Sequence, residues 1–301
     1  MTLQQLAYFL AVARTRHFTR AAEEMRVAQP SLSKQIHALE RELGADLFSR
    51  ARGNVALTPA GEALLPVAGR ILSDVDTARL EVAELVGLRR GRVRVGATPS
   101  LCGSIFADVI KRYHDAYPGI RVVVTEGGSR DLVGALEAGE LDLALVIEST
   151  ADAQRALTVA PVLREELVVA SAEPLGVSRM RVTDLREHPL VMFRSGYDLR
   201  ETTLAVCRRA GFEPVFAVEG GEMDAVLRFV EVGLGVAIVP STVLAARSLH
   251  GTPLTPSTSR TIALAHRTDV APTSAARAFR GVLTGYLRGA EMPAGVRLLE
   301  P

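Results

Sequence analysis

Tryptophan is absent from this 301-residue sequence, and aromatic residues make up only 5% of it. The only two cysteines, Cys102 and Cys207, lie far apart, which excludes a disulfide framework and the common metal-ligand spacings. No apolar run approaches the ~20 residues of a membrane-spanning helix. The chain also does not open with a basic stretch followed by an apolar segment. We therefore expect a cytoplasmic protein with reduced thiols, no metal site and no contact with membranes.

The charge is almost balanced, but it is unevenly distributed along the chain. The net charge of +1 combines a segment of +3 at residues 1–58, with eight basic and five acidic side chains, and a remainder of −2. A basic amino-terminal segment is typical of proteins that bind a polyanion. A solvated surface explains an excess of this size equally well, so the charge alone identifies no partner.

Apolar residues at helical spacing predict three helices within the first 44 residues. The first begins at Leu3, and the second begins after Thr19, which is a good N-cap residue. The third has Pro30 in its first turn and ends at Gly44. The positions that it is predicted to bury are Leu32, Ile36, Leu39 and Leu43.

The opposite face of the third helix and the segment after it carry groups suited to DNA. Short hydroxyls and cations allow a helix end to lie deep in the major groove and bond base edges. This face carries Ser31, Ser33, Lys34, His37 and Arg41. Strand patterns at 47–50 and 55–58 flank a turn and predict a wing, from which Arg50 and Arg52 reach phosphates or the minor groove.

The next segment carries a heptad pattern of apolar residues. Steps of four and three join Leu64, Ala68, Ile71, Val75, Ala78, Val82 and Leu85. This pattern predicts a helix that pairs with a second copy of itself, and therefore a homodimer on a roughly two-fold DNA site. Packing against the protein's own next domain is the alternative. Pro66 and Gly69 predict a kink or a later start of the helix.

Strands alternate with helices from residue 92 onward, which predicts a largely parallel, doubly wound sheet. A helix carrying Ile105 to Tyr113 is expected to open at 98–100. Predicted strands lie at 93–97, 120–124, 141–147, 166–171, 190–193, 215–218, 236–239 and 261–265, and further predicted helices at 132–138, 202–210, 224–231 and 274–288.

Two sets of motifs resemble one known family. Residues 18–22 (FTRAA), 28–36 (AQPSLSKQI) and 57–61 (LTPAG) resemble the DNA-binding domain of LysR-type transcriptional regulators. Looser matches at 92–96, 117–119, 139–144 and 232–240 resemble the effector domain of that family. The implied fold class is α/β, with an α-rich winged helix-turn-helix at the amino terminus. A two-lobed, periplasmic-binding-protein-like (type II) effector domain follows.

The resemblance implies domain limits, partners and DNA contacts. The winged helix-turn-helix occupies 1–58, the dimerisation helix 59–88, and the effector domain 92–289, with a tail at 290–301. Lobe I covers about 92–161 and 267–289, and lobe II about 162–266. Expected partners are promoter DNA, other copies in a homodimer or homotetramer, a small-molecule effector and, as a candidate, RNA polymerase. The family's DNA contacts match Gln29, Pro30, Ser31, Ser33, Lys34, Arg50 and Arg52.

The effector cleft is expected where strands end and helices begin, because free backbone N–H groups at these points favour anions. An anionic effector is therefore expected. The predicted cleft residues, which also match the family's inducer site, are Thr98, Pro99, Ser100, Gly128, Ser129, Phe193, Arg194, Ser195 and Glu222. Arg194 pairs either with a ligand carboxylate or with an ordinary acidic neighbour.

Two other functions remain to be weighed. One is a small-molecule binding protein or transport component without a DNA function, and the other is an enzyme. No catalytic motif or cofactor-binding motif supports an enzyme, and the glycine pair Gly233 and Gly235 lacks the third glycine of a nucleotide-binding motif. Cys102 follows the predicted cleft loop and is either a thiol sensor or, as we prefer, a small core residue.

Overall fold

The computed structural model describes residues 1–49, 55–85, 91–148, 156–245 and 247–299. The chain forms two compact units. Met1–Leu88 and Glu137–Glu140 make up the first unit, and Arg89–Leu136 and Leu141–Pro301 make up the second.

The first unit contains the predicted helices and the predicted hairpin. Its elements are α1 (Leu3–Thr15), α2 (Phe18–Glu24), α3 (Gln29–Leu43), β1 (Phe48–Ser49), β2 (Ala56–Leu57) and α4 (Pro59–Leu85). The two strands pair antiparallel, as a wing requires. The predicted turn between them lies outside the described residues.

The helix ends follow from local sequence, with one correction. Thr19 is not the N-cap of α2, because the helix begins one residue earlier, at Phe18. The left-handed backbone of Arg16, at φ 50°, ends α1 and leaves His17 extended. The His17 side chain then accepts a hydrogen bond from the backbone N–H of Arg20.

The third helix agrees with its predicted limits but not with every predicted buried position. Pro30 lies in its first turn, and Gly44 ends it with φ +70°. Leu43 is 44% exposed, because it is the last helical residue and lies beyond the core. The residues that do fill this core are Leu6, Phe9, Val12, Leu32, Ile36 and Leu39. The ring of Phe48 packs at 5.3 Å from that of Phe9, which fixes β1 against the helices.

Burial varies along the heptad stripe of α4. The helix is continuous through Pro66, so the predicted later start is wrong. Ala68 is fully buried in the core of the first unit, and Leu64 and Ile71 pack against that core. Val82, near the other end of the same stripe, is 61% exposed. The first half of the stripe therefore packs within its own unit, and pairing with a second copy remains a prediction for the second half.

The second unit contains a helix or strand for each element predicted there. In chain order they are β3 (Gly91–Ala97), α5 (Pro99–Leu101), α6 (Ala107–Ala116), β4 (Ile120–Glu126), α7 (Ser129–Glu137), β5 (Leu143–Ile147), β6 (Leu157–Ser171), β7 (Met180–Arg181), β8 (Leu190–Phe193), α8 (Asp198–Arg209), β9 (Phe216–Gly221), α9 (Met223–Glu231), β10 (Ala237–Pro240), β11 (His250–Arg267), α10 (Ser274–Gly289) and β12 (Val296–Leu298). The single helix expected after Thr98 is interrupted, because Ser104 has a non-helical backbone (φ −130°, ψ −113°) between α5 and α6.

The main sheet is mixed, so the prediction of a largely parallel sheet is wrong. Its strand order is β10-β6-β11-β5-β3-β4, with β12 added on β6 and β7 on β11. Among the described residues, parallel pairing is limited to β3 with its neighbours β4 and β5, the short β11–β7 contact, the β8–β9 sheet and an isolated bridge between Leu190 and Val236. The long strands β6 and β11 run antiparallel to each other. Strand β6 is also antiparallel to β10 and β12, and β11 is antiparallel to β5.

These two long strands pass through two hydrophobic clusters. Leu163 on β6 and Ile262 on β11 belong to a cluster with Tyr113 and Phe279. Further along the same strands, Leu167 and Leu254 belong to a second cluster with Phe193 and Ile238. The unit thus has two lobes joined by continuous strands, and the residue limits given above for each lobe remain a prediction.

Candidate nucleic-acid interface and effector cleft

The helix α3 presents the predicted DNA-contacting side chains on its open face. Ser33 is half-buried, and the exposed members are Gln29, Pro30, Ser31, Lys34 and His37. All of them except Ser31 line a shallow groove that also includes Arg41 and Asp46. The other two predicted contacts, Arg50 and Arg52, lie outside the described residues.

A buried carboxylate, which the sequence analysis missed, joins this helix to the wing. Glu40 Oε1 accepts hydrogen bonds from the backbone N–H groups of Leu47, at 3.0 Å, and Phe48, at 3.4 Å. Its Oε2 lies 3.0 Å from Nδ1 of His37. Of the two ring nitrogens of His37, Nδ1 is thus already in contact with protein, and a DNA contact would use Nε2.

In the second unit, the loop after β3 leads into a buried polar network. Thr98 Oγ1 lies 3.2 Å from Ser100 Oγ, and both residues are almost completely buried. Ser100 Oγ accepts a hydrogen bond of 2.7 Å from Arg260 of β11. The Arg260 guanidinium forms an ion pair with Glu165 of β6, whose other oxygen accepts from Thr242 at 2.8 Å. The network ties the predicted cleft loop to the two long strands.

A second contact joins the predicted cleft loops of the two lobes. The N–H and hydroxyl of Ser129, at the start of α7, both donate to Asp198 Oδ2 at the start of α8, at 3.2 and 2.8 Å. A Cβ added to Gly128 would lie 3.6 Å from the backbone oxygen of Gly196. A carboxylate of the chain itself therefore occupies the amino end of α7, where an anion is favoured.

The remaining predicted residues lie in lobe II. Arg194 pairs with Glu222, and this hydrogen bond raises the pKa of the guanidinium. Of the two partners that the sequence allowed for Arg194, the structure thus shows the acidic neighbour and not a ligand carboxylate. Ser195 is exposed, whereas the ring of Phe193 is buried in the lobe core and stacks on Tyr197 with centroids 4.8 Å apart.

Tyr197 has a polar atom without a partner. It is only 2% exposed, and its hydroxyl makes no hydrogen bond with any described residue. Burial raises the pKa of the phenol, while the charge of Arg260 acts to lower it. Because a buried hydroxyl without a partner costs about 1–3 kcal/mol, this atom is a candidate for contact with a ligand.

Comparison with known proteins identifies the family. A family model described as bacterial regulatory helix-turn-helix protein, lysR family, matches residues 3–62, and the LysR substrate binding domain model matches residues 87–288. The chain belongs to the LysR-type transcriptional regulators. It is therefore a DNA-binding transcriptional regulator with an effector-binding domain, and proteins of this family bind DNA, form oligomers and bind small-molecule effectors. The fold class expected from the sequence is confirmed.

Individual relatives match over most of their length. The chain is 31% identical to the transcriptional dual regulator GltC of Bacillus subtilis, over 81% of this chain and 82% of that protein. It is 32% identical to a probable hydrogen peroxide-inducible genes activator of Streptomyces viridosporus, over 90% and 89% of the two chains. Among solved structures, full-length OxyR of Pseudomonas aeruginosa, in a variant form, superposes with a TM-score of 0.73 at 26% identity, covering 100% and 99% of the chains.

Sequence patterns missed several polar residues of this LysR-type regulator. Arg260 and Glu165 lie 95 positions apart and meet only through the pairing of β6 with β11. The charged run of Arg164, Glu165 and Glu166 inside β6 was the available signal, and it does not single out Glu165. Asp198 gave a weaker signal, because acidic residues are common in the first turn of any helix.

Both cysteines are poorly suited to redox sensing. Burial raises the pKa of Cys102 to about 12 and that of Cys207 to about 11. Cys207 belongs to the core of one lobe, and Cys102 packs against the core of the other. The interpretation of Cys102 as a small packing residue therefore agrees with the structure.

Thiol labelling of the LysR-type regulator provides a direct check. We expect iodoacetamide at pH 7.5 to modify neither cysteine in the folded chain within a time that labels free cysteine completely, because only the thiolate reacts. Denatured protein should incorporate two equivalents, as determined by mass spectrometry. Fast labelling of either thiol in the folded state would contradict the assigned burial.

Within the described ranges, no group of three or more His, Cys, Asp and Glu residues is arranged to hold a metal ion. None of the described helices has both the length and the apolar character needed to cross a bilayer.

Proposed function

We propose that this LysR-type regulator reads promoter DNA with the exposed face of α3 and responds to a small anionic effector bound between the two lobes of its second unit. The DNA contacts would come from the α3 residues above, with Arg50 and Arg52 acting from the wing. The effector would contact the loops that begin at Thr98, Gly128, Phe193 and Glu222. Effector binding would change lobe closure, and lobe closure would change how the protein holds DNA.

The observation that carries the effector proposal is the buried Tyr197 hydroxyl without a partner. Its charged surroundings include Arg260, which already donates to Ser100. A ligand oxygen at this place would accept from the phenol and lie within the field of a guanidinium. Both interactions favour an anionic group, whereas the carboxylates of Glu222, Asp198 and Glu126 act on the same phenol with the opposite sign.

Several further properties belong to the same proposal. The second half of α4 pairs two copies into a homodimer, and dimers associate into a homotetramer that presents its recognition helices on one face of the DNA. RNA polymerase is a candidate partner at the promoter. The protein acts in the cytoplasm, where its DNA target is, and it is a regulator without enzymatic activity.

Replacing base-contacting and phosphate-contacting residues should have different effects on DNA binding. We expect Ser33→Ala or Gln29→Ala to reduce discrimination between the chain's own upstream DNA and random duplex by about 1–3 kcal/mol. Arg50→Ala should weaken binding to both duplexes alike. It should also reduce the slope of log affinity against log salt concentration by about one. Fluorescence anisotropy titrations at several salt concentrations measure both quantities. The opposite pattern would overturn the assigned roles.

The effector site can be tested with a ligand screen on the full chain. Small carboxylates and aromatic acids are screened for a rise in Tm, since a ligand that binds only the folded state stabilises it by mass action. We expect Tyr197→Phe to weaken the affinity for a ligand found in this screen about 2- to 13-fold, which corresponds to the loss of one hydrogen bond of about 0.5–1.5 kcal/mol. Tyr286→Phe is the matched control, because that hydroxyl already donates to Asp108 at 3.0 Å. Unchanged affinity in Tyr197→Phe would contradict the assigned contact.

A further inference from the structure

Two arginines face each other on an outer surface of the second unit. The short strand β12 pairs antiparallel with β6, and the register places Arg297 directly opposite Arg164. Directly opposite residues of an antiparallel pair project from the same face of the sheet, and like charges in this arrangement repel each other. The pairing of the two strands therefore has an electrostatic cost.

Neither guanidinium has an acidic partner among the residues that the structure describes. Both side chains are exposed, and neither makes a hydrogen bond or an ion pair within the part of the chain that the structure describes. The neighbouring residue pair on β6 and β11 is arranged differently, since Arg260 lies opposite Glu165 and pairs with it. The uncompensated pair is thus a local feature of the β6–β12 edge.

The two arginines also line a concave pocket. It has a volume of about 390 Å³ and includes the side chains of Ser257, Ser259 and Glu166 together with Gly295. The Glu166 carboxylate accepts from the Ser257 hydroxyl at 3.2 Å and forms no ion pair with either arginine among the described residues. Two guanidiniums and one carboxylate leave this pocket with a net charge of +1, and the Ser259 hydroxyl supplies a further donor.

The position of the pocket separates it from the effector cleft. Side chains alternate between the two faces of a strand, so Arg164 and Glu166 project from the face of β6 opposite to that of Glu165. Glu165 is the residue that binds Arg260 and Thr242 in the buried network. The pocket therefore lies behind that network, on the outer side of the strand that joins the lobes.

We propose that this pocket is a second ligand site, distinct from the effector cleft, and that it binds a compact oxyanion with two negative charges, such as a phosphoryl group. A dianion between Arg164 and Arg297 would relieve their repulsion and offer several acceptors to guanidinium N–H and serine O–H donors. Guanidinium groups match the geometry of phosphate oxygens and bind them in a bidentate manner.

Inorganic phosphate is the probe for this site. Its Kd for the full chain is measured by calorimetry, and the rise in Tm is recorded at pH 7.5 and constant ionic strength. Arg164→Gln and Arg297→Gln are each expected to weaken phosphate binding about tenfold or more, as loss of a charged hydrogen bond worth at least ~1.4 kcal/mol implies. Arg280→Gln is the matched control, because it removes the same charge from an exposed position on α10. Equal affinity in all four proteins, or no binding by the unmodified chain, would overturn the proposal.

Three further arms distinguish this site from other sources of binding. Lys34→Gln and Tyr197→Phe should keep the affinity of the unmodified chain, because they alter the proposed DNA surface and the effector cleft. Acetate at the same ionic strength should produce no comparable rise in Tm, whereas an equal rise would mean general charge screening and contradict the proposal. Without phosphate, Arg297→Gln should melt at a higher temperature than the unmodified chain. A lower melting temperature would contradict the repulsion on which the site depends.

Discussion

Replacing Arg260 by leucine is expected to destabilise the second unit by about 3–5 kcal/mol. The substitution leaves the Glu165 carboxylate, which is 0% exposed, without its counter-ion. Ser100 also loses a donor at 2.7 Å. Because the chain has no tryptophan, urea-induced unfolding is best followed by circular dichroism.

The matched control for this experiment removes both charges. In the double variant Arg260→Leu, Glu165→Leu, most of the lost stability should return, since apolar residues of similar size often replace a buried ion pair with little cost. Glu165→Leu alone should also be strongly destabilising, because it leaves the buried Arg260 guanidinium without a counter-ion. If the double variant were as unstable as either single variant, the loss would come from packing and not from the uncompensated charge.

Gly61→Ala is expected to destabilise the first unit by about 1–3 kcal/mol or more, and to reduce DNA affinity. A Cβ at this position would lie 2.2 Å from the backbone oxygen of Leu47 and 2.8 Å from Cδ2 of Leu57. Both neighbours belong to the wing, and one of them is a backbone atom that cannot rotate away. The helix α4 would have to move away from the hairpin that it supports.

A second glycine in a helix serves as the control. Gly134 lies within α7, and a Cβ there would meet nothing within 4 Å. Gly134→Ala should therefore stabilise the chain by about 0.5–1 kcal/mol, because alanine is the better helix former. Thermal melts and anisotropy titrations compare the two variants. A neutral Gly61→Ala would contradict the close contact between α4 and the wing.

The first unit was largely predictable because its signals are local. Pro30 and Gly44 mark the two ends of α3, and the apolar period identifies Leu32, Ile36 and Leu39 as buried. Leu43 follows the same period but lies past the edge of the core, which periodicity does not show. The cap of α2 was misplaced for a similar reason, since it depends on the backbone angle of Arg16.

The second unit was predictable in its elements but less so in its topology. The alternation of strand and helix patterns located β3, β4 and β5, and these strands are parallel as expected. The antiparallel course of β6 and β11 depends on pairing between segments about 95 residues apart, which no local pattern encodes. The same long range hides the Arg260–Glu165 pair and the Ser129–Asp198 contact, so local patterns did not predict these polar partners of the predicted cleft loops.

The contact between Ser129 and Asp198 gives the cleft a built-in competitor. An anion that approaches the amino end of α7 meets a carboxylate that is already bound there and covalently tethered through α8. Tethering gives the Asp198 carboxylate a high effective concentration at this helix end. A free anion that makes the same contacts with the helix would therefore not displace it, and an effector needs additional contacts elsewhere in the cleft. Displacing Asp198 would also break a bond between the lobes. Occupancy of that helix end and lobe opening are therefore two aspects of one equilibrium.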